Sequence, residues 1–278
     1  EIGMDKKGEI DFLSSIVKPN IGVITNISYA HAKNFKSISD IAKAKAEIIN
    51  NIKKYGSIIL NADDKFFSIH KKIAKKRRLN IVSFGYSYKS DVKFLKLKKL
   101  GKYYKIEVQI FDELKKFEIR YKYKNYIKNI LSALAVLYIL KITKNLSFNF
   151  FKNFLIPKGR GNISKIKFKN KKIFLIDESY NSNPLSLSSA ISNFSNTNIK
   201  SEKKHFLMGD MLELGKHSKK LHKDMSNILN NSKINKIHIY GNDVAETFKG
   251  IKKKRKGRIL RKISDIYDLI VRDLNNND

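Results

Sequence analysis

GVITNISYAHAKNFKSISDIAKAKAEII (residues 22–49) holds an apolar run, a polar loop and an amphipathic stretch in that order. The run GVITNI (22–27) reads as a buried strand. Residues 39–52 read as a helix with Ser39 or Asp40 as N-cap, since a short polar side chain there can accept from a free backbone N–H. Strand, polar loop, helix is the repeating unit of an α/β fold. Further along, strands at 57–60 and 81–84 flank a helix at about 64–76. The stretch 92–123 alternates apolar and polar residues in three runs, broken near Gly101 and at Asp112 and Glu113, which predicts an antiparallel meander. Helices are expected at 126–141 and near 148–154, the first apolar nearly all round and therefore buried.

IPKGRGN (156–162) is the one place where Pro and two Gly cluster, and it is the best candidate for a domain hinge. Beyond it, strands at 173–176, 205–208, 237–240 and 258–260 alternate with helices that begin near Pro184, Ser218, Asp243 and Ser264. That pattern predicts a second, Rossmann-like α/β unit. The expected division is 1–157 and 158–278.

Composition narrows the function classes. The chain has 278 residues, 58 Lys plus Arg against 25 Asp plus Glu, and a formal net charge of +33. With 42% hydrophobic residues it holds too much apolar material for a disordered polycation. Zero Cys excludes a disulfide scaffold, a zinc–thiolate or iron–sulfur site, and a cysteine nucleophile. The longest nearly apolar run, 130–140, is shorter than the roughly 18 residues of a membrane span, so no membrane insertion is expected. The chain opens on Glu1 with no signal peptide, which makes a cytoplasmic protein the default. Lysines are scattered through every segment beside abundant Ile and Asn, as AT-rich coding drift produces, so no specific nucleic-acid partner is expected.

Chemistry must then rest on carboxylates, Lys, His and backbone amides. GDMLELGKH (209–217) imitates a P-loop and fails as one. Its glycines are one residue too far apart, His217 replaces the magnesium-binding Ser or Thr, and Asp210 and Glu213 would repel phosphate. Lys45 shares a helical stripe with Ile41, Ile48 and Ile52, whereas Lys43 lies on the opposite side. A snorkelling lysine gives that pattern. So does a lysine of depressed pKa that faces a site and is open to carbamate formation or phosphate contact. His31 follows the first strand's C-terminal end, where open α/β sheets place ligands, although a lone His is more often structural. DESYNSNP (177–184) reads either as a capped loop with Pro at N1 or as a ligand loop.

Together these segments resemble the Mur ligases, and within them the members that add D-alanyl-D-alanine. The matching motifs are EIGMDKKGEI (1–10), TNISYAHAKNFKSISDIAKAKAEI (25–48), NADD (61–64), KGRG (158–161), DESYNSNP and GDMLELG, in the family's order. The resemblance implies a central ATPase domain followed by a Rossmann-like C-terminal domain. It also implies an ATP- and Mg2+-dependent reaction in which the carboxylate of UDP-MurNAc-tripeptide becomes an acyl phosphate and the amine of D-Ala-D-Ala displaces phosphate, in a monomeric enzyme. By the same resemblance Glu1, His31 and Lys45 belong to the magnesium site, with Lys45 carbamylated and Lys45 and His31 catalytic. Asn129 is implied to contact adenine, Arg160 phosphate, and Asp177, Tyr180 and Asn181 the nucleotide.

Three features depart from the family. No P-loop or UDP-binding segment precedes Glu1, KNYIKN (124–129) stands where a His-Asn pair is usual, and a KGS-like motif is absent. The resemblance therefore implies a fragment, inactive as a ligase by itself. The rival readings are a folylpolyglutamate-synthase-like ligase, against which GDMLELG argues, and a basic nucleic-acid-binding protein.

Overall fold

A computed structural model describes residues 1–101, 103–120, 126–143, 147–154, 156–197 and 203–278. The chain divides into two compact units, one of Glu1–Ile27 with Asn34–Leu155, the other of Ser28–Lys33 with Ile156–Asp278.

The first unit is built on a six-stranded sheet in sequence order: β1 (Ile21–Ile24), β2 (Ser57–Asn61), β3 (Asn80–Gly85), β4 (Val92–Leu100), β5 (Tyr103–Ile110) and β6 (Glu113–Arg120). Strands β1 to β4 pair parallel, while β4 to β6 form the antiparallel meander. The last expected meander residues, 121–123, lie outside the described residues. Every residue of β2 is buried, as befits a parallel strand covered on both faces. Helix α1 (Glu9–Val17), which the apolar pattern did not reveal, precedes the sheet. The amphipathic stretch forms two helices, α2 (Ile38–Ala46) and α3 (Ile48–Asn51), and α4 (Phe67–Lys76) follows β2. Helix α5 (Ile127–Ile139) lies over β2 to β5 and buries Leu131 and Leu134 completely, each worth about 1.5–3 kcal/mol. A short α6 (Phe150–Asn153) stacks Phe151 on Phe117 of β6.

The expected cap of α2 is corrected. Ser37, not Ser39 or Asp40, is the N-cap: its side chain accepts from Asp40 N (3.2 Å) and its hydroxyl donates to the Asp40 carboxylate (2.9 Å). Asp40 is thus the third helical residue of a reciprocal cap.

The second unit carries a three-stranded parallel sheet in the order β11 (Lys256–Leu260), β10 (Lys236–Tyr240), β9 (His205–Gly209). Helices α7 (Pro184–Ser195), α8 (Ser218–Asn230), α9 (Ala245–Lys249) and α10 (Asp265–Asp268) alternate with it. The strand expected at 173–176 does not join this sheet. It is β8 (Lys171–Asp177), paired antiparallel with β7 (Asn162–Phe168) as a separate hairpin. The Ile/Lys alternation of β7 leaves most of it exposed, so no buried run announces it. Among the described residues no helix is long and apolar enough to cross a membrane.

Some of the basic residues have local work. Lys204 Nζ donates to the carbonyls of Phe194, Ser195 and Thr197 at the end of α7. Arg255 donates to Leu229, Asn230, Ser232 and Ile234 at the end of α8, and Lys171 to Ile270, Val271 and Leu274. Helix C-termini present unpaired carbonyls that favour cations.

The division between units suggests a cleavage site. Phe154 is 57% exposed at the end of α6, whereas the following KGRG turn is bonded into the second unit through Gly161 N to Asp177 O (2.7 Å) and Tyr180 N to Gly159 O (3.1 Å). Brief chymotrypsin treatment is expected to cut first after Phe154, because few contacts cross a domain boundary. First cuts within β1 to β2, read by mass spectrometry, would place the boundary elsewhere.

Candidate active site

In the first unit the polar residues converge on the C-terminal ends of β1 and β2. Asn61 Nδ2 donates to Thr25 O (2.9 Å), and Ile27 N donates to the Asp64 carboxylate (2.8 Å), whose other oxygen accepts from Phe66 N (2.9 Å). These bonds fix the shape of residues 25–27. Lys45, half-buried on α2, reaches over the same segment and donates to Asn26 O (3.2 Å). Burial holds its ammonium below the usual lysine range, with the charge of Asp64 opposing. Lys43 is solvated on the other side of the helix beside Asp40 (3.9 Å).

Asp63, the neighbour of Asp64, holds a second contact set. Its carboxylate accepts from Tyr86 N and Ser87 N and pairs with Lys128 at 2.9 Å. Burial alone would push its pKa up, but the Tyr86, Lys128 and Ser87 donors outweigh it and hold the carboxyl low. Gly85 makes room: a Cβ there would lie 2.8 Å from an Asp63 oxygen, at a φ of +155°. Asp63 and Asp64 lie in the NADD motif and Lys128 in KNYIKN, but none of the three was given a role from sequence. The available signal was an acidic pair at a parallel strand's C-terminal end.

Asn129 sits exposed on α5, its carbonyl accepting from Ser132 Oγ (2.9 Å). Lys124 and Asn125, part of the KNYIKN departure, lie outside the described residues. Glu1 is exposed at the start of the first unit.

The second unit brings Arg160, Asp177 and Tyr180 together. The Arg160 guanidinium lies 4.1 Å above the Tyr180 ring, Gly161 N donates to Asp177 O, and Gly159 O accepts from Tyr180 N. Gly159 needs its φ of +76°, since a Cβ would stand 3.0 Å from Tyr180 N. Ser179 donates its hydroxyl (2.6 Å) and its N–H (3.0 Å) to Asp177, and these bonds hold that carboxyl below the usual range. Asn181 is exposed in the same loop, and Asn183 caps α7 with Pro184 at its first position. The cap reading of DESYNSNP holds, with Asn183 capping α7, and the loop also carries Asp177 and the exposed Tyr180, over which Arg160 of KGRG lies.

His31 belongs with the GDMLELG loop. Its Nδ1 pairs with the Glu213 carboxylate, and Lys33 N donates to Glu213 O (2.7 Å). Both His31 (φ +56°) and Glu213 (φ +60°) occupy the left-handed region, which side chains rarely adopt. Gly215 touches Lys33, whose Cα would lie 2.7 Å from an added Cβ. Asp210 accepts from Asn242 N and Val244 N, and Met211 N donates to the buried His222 Nε2 (3.0 Å). In a P-loop the segment's own amides would face phosphate; here Met211 N is taken by the His222 ring.

Magnesium takes hard oxygen ligands. The ammonium of Lys45 offers no lone pair, and among the described residues no three His, Asp or Glu side chains gather as a metal group. The residues as they stand do not make a magnesium site, and Lys45 could join one only after gaining oxygens.

Comparison with known proteins agrees with this layout. Residues 1–137 match the Mur ligase middle domain, and residues 164–278 match the domain described as Mur ligase, glutamate ligase domain. A UDP-N-acetylmuramoyl-tripeptide–D-alanyl-D-alanine ligase from Rickettsia prowazekii is 31% identical over 87% of this chain and 53% of its own length. The chain spans about half the length of the curated relatives it matches. In fold it is similar to MurF from Acinetobacter baumannii (TM-score 0.81, 24% identity, 99% of this chain and 59% of that one). It is also similar to MurF ligase from Thermotoga maritima in complex with ADP (TM-score 0.80, 22% identity, 100% of this chain and 61% of that one). Loops that cluster at strand ends, in two successive α/β units that both match one family, leave a single assignment: the chain belongs to the Mur ligase family.

Proposed function

We propose that this chain forms the middle and C-terminal parts of an ATP-dependent ligase that joins D-alanyl-D-alanine to UDP-MurNAc-tripeptide, a cytoplasmic step of peptidoglycan precursor synthesis carried out by a monomer. The observation that carries it is Lys45: a half-buried lysine of lowered pKa, bonded to the loop at the end of β1. A lowered pKa leaves more free amine at neutral pH, and a free amine adds to CO2 to give a carbamate and a proton. The product exchanges one cation for two anionic oxygens at the strand ends, the change a magnesium ligand requires. Asp64 keeps its loop in place for that oxygen pair, and its charge moderates how far the lysine's pKa falls.

In the second unit, Arg160 offers a fixed cation for phosphate, the exposed Tyr180 ring a stacking face, and Asp177 an ionised acceptor for nucleotide hydroxyls. ATP is the nucleotide these groups suit, and Asn129 and Asn181 are the exposed amides proposed to complete its recognition. The magnesium site is proposed for a carbamylated Lys45 with Glu1; His31, already paired with Glu213, is proposed to position the GDMLELG loop. Magnesium, when bound, would offset the repulsion between a carboxylate and the transferring phosphoryl group.

The test is ADP release by the complete protein that contains this chain. Release beyond one equivalent per enzyme is expected only when UDP-MurNAc-tripeptide and D-Ala-D-Ala are both present. Release driven by a folate and L-glutamate would favour the folylpolyglutamate-type alternative.

A further inference from the structure

Asp63 stands just past the C-terminal end of β2, and Tyr86 just past that of β3. The two strands are parallel neighbours, and open α/β sheets take their ligands at such ends.

The Asp63 carboxylate joins three segments. It accepts from the backbone N–H groups of Tyr86 (3.0 Å) and Ser87 (3.0 Å), in the loop after β3. It also pairs with the ammonium of Lys128 (2.9 Å), in the first turn of α5. Its side chain is only 18% exposed, so these are charge-assisted bonds to a largely desolvated group. The loop is closed at its neck as well, where Ser83 donates its N–H (2.8 Å) and its hydroxyl (2.6 Å) to the Asp91 carboxylate.

This fixed loop presents the Tyr86 ring, which stays 48% exposed. Phe94 meets the ring edge-on at 5.3 Å, and Lys128 Nζ lies 5.4 Å from its centre. Lys128 therefore ties the carboxylate, the ring and the start of α5 together. The next residue of that turn is the exposed Asn129. An Asn amide sets a donor beside an acceptor, the pair that complements an adenine edge. Groups held in place before a ligand arrives lose little freedom on binding it. An ion pair that served stability alone would leave nucleotide affinity untouched.

We propose that Asp63 and Lys128 are positioning residues for an adenine ring: the pair fixes the loop after β3 against the first turn of α5, so that Tyr86 offers the base a stacking face and Asn129 an amide. This rests on the reading of ATP as the nucleotide. A purine has two faces, so the contact adds to the one proposed for Tyr180.

The test is calorimetric binding by the complete protein, with ADP and with inorganic tripolyphosphate, which carries the charge without the base. Lys128→Met keeps the stem over the ring and removes the ammonium. It should weaken ADP binding about three- to tenfold, leave tripolyphosphate unchanged, and be rescued by Lys128→Arg. Tyr86→Leu should weaken ADP roughly tenfold, toward the low end of what base–aromatic stacking contributes. Because Lys128 acts through the Tyr86 loop, the double variant should bind ADP within about twofold of Tyr86→Leu alone. Equal losses of ADP and tripolyphosphate would make Lys128 a phosphate contact, and additive losses would make it independent of Tyr86. Either result overturns the proposal, as does an ADP affinity that one of the single variants leaves unaltered. ADP binding without ligase turnover would sink the ligase reading and leave this one standing. No ADP binding by the unaltered protein would overturn both.

Discussion

Arginine in place of Lys45 is expected to lower ligase turnover of the complete enzyme by on the order of 10²–10³-fold while leaving it folded. The substitution keeps the charge and most of the stem. A guanidinium does not add CO2, so the two oxygens proposed for the strand ends are lost. Lys45→Ala should fail likewise and recover in part when a small carboxylate such as acetate fills the vacated anion position. Lys43, solvated on the other face of α2, is the internal control and should accept either change. If Lys45 only snorkels, the pattern reverses: Arg is tolerated, Ala costs a little packing, and added acetate does nothing. Turnover and melting temperature together exclude the snorkelling lysine if Lys45→Arg is inactive yet melts normally, and acetate rescue of Lys45→Ala then distinguishes the carbamate from a direct phosphate contact.

Acid should weaken the second unit through His238. Burial first, then the neighbouring His205, lowers its pKa to about 4, with Asp273 opposing and Arg258 and Lys236 adding to the shift. The ring is neutral in the fold, whereas the unfolded chain binds its proton near the ordinary value of 6.5. Its contribution is therefore complete above pH 6.5 and is lost as pH falls toward 4. Between pH 7 and 4.5 the loss is roughly 2–3 kcal/mol. Protonation also breaks a specific contact, since a proton on Nδ1 would face the donor Arg258 N–H. Denaturant melts at the two pH values should show the drop, and His238→Asn, which cannot titrate but can still accept, should flatten it. An unchanged pH slope in that variant would assign the acid sensitivity to other groups.

The parts of the fold legible in sequence were those whose signal is local. The three runs of the meander, the apolar α5 and the loops at strand ends all announce themselves within a dozen residues. What escaped depends on partners far along the chain. The N-terminal amides of α1 are held by the Glu47 carboxylate, which accepts from Gly8 N and Asp11 N across some forty residues of sequence. The hairpin β7–β8 hides because its lysines alternate with isoleucines that stay partly exposed.

The candidate site divides the same way. Lys45 stood out because its stripe is otherwise isoleucine, and DESYNSNP because Asn and Pro cap a helix visibly. Asp64, which fixes the loop under Lys45, was visible in sequence only as the end of the NADD motif, with nothing to show which backbone N–H it holds. The basic run 252–258 was indistinguishable from a solvated charge cluster, yet Arg255 closes the end of α8 and Arg258 pairs with Asp273. Sequence alone could not tell a cation that binds carbonyls from one that awaits an anion.

The most direct measurement follows one oxygen atom. In an acyl-phosphate ligase a carboxylate oxygen of the tripeptide bonds to the γ-phosphorus of ATP, and the amine of D-Ala-D-Ala then attacks the carbonyl carbon and expels phosphate. The expelled phosphate keeps that oxygen. UDP-MurNAc-tripeptide labelled with 18O in its terminal carboxylate, turned over by the complete protein with ATP and D-Ala-D-Ala, should yield inorganic phosphate bearing one 18O for each peptide bond formed. Unlabelled phosphate alongside the same product, or ATP hydrolysis with no new peptide bond, would contradict the account.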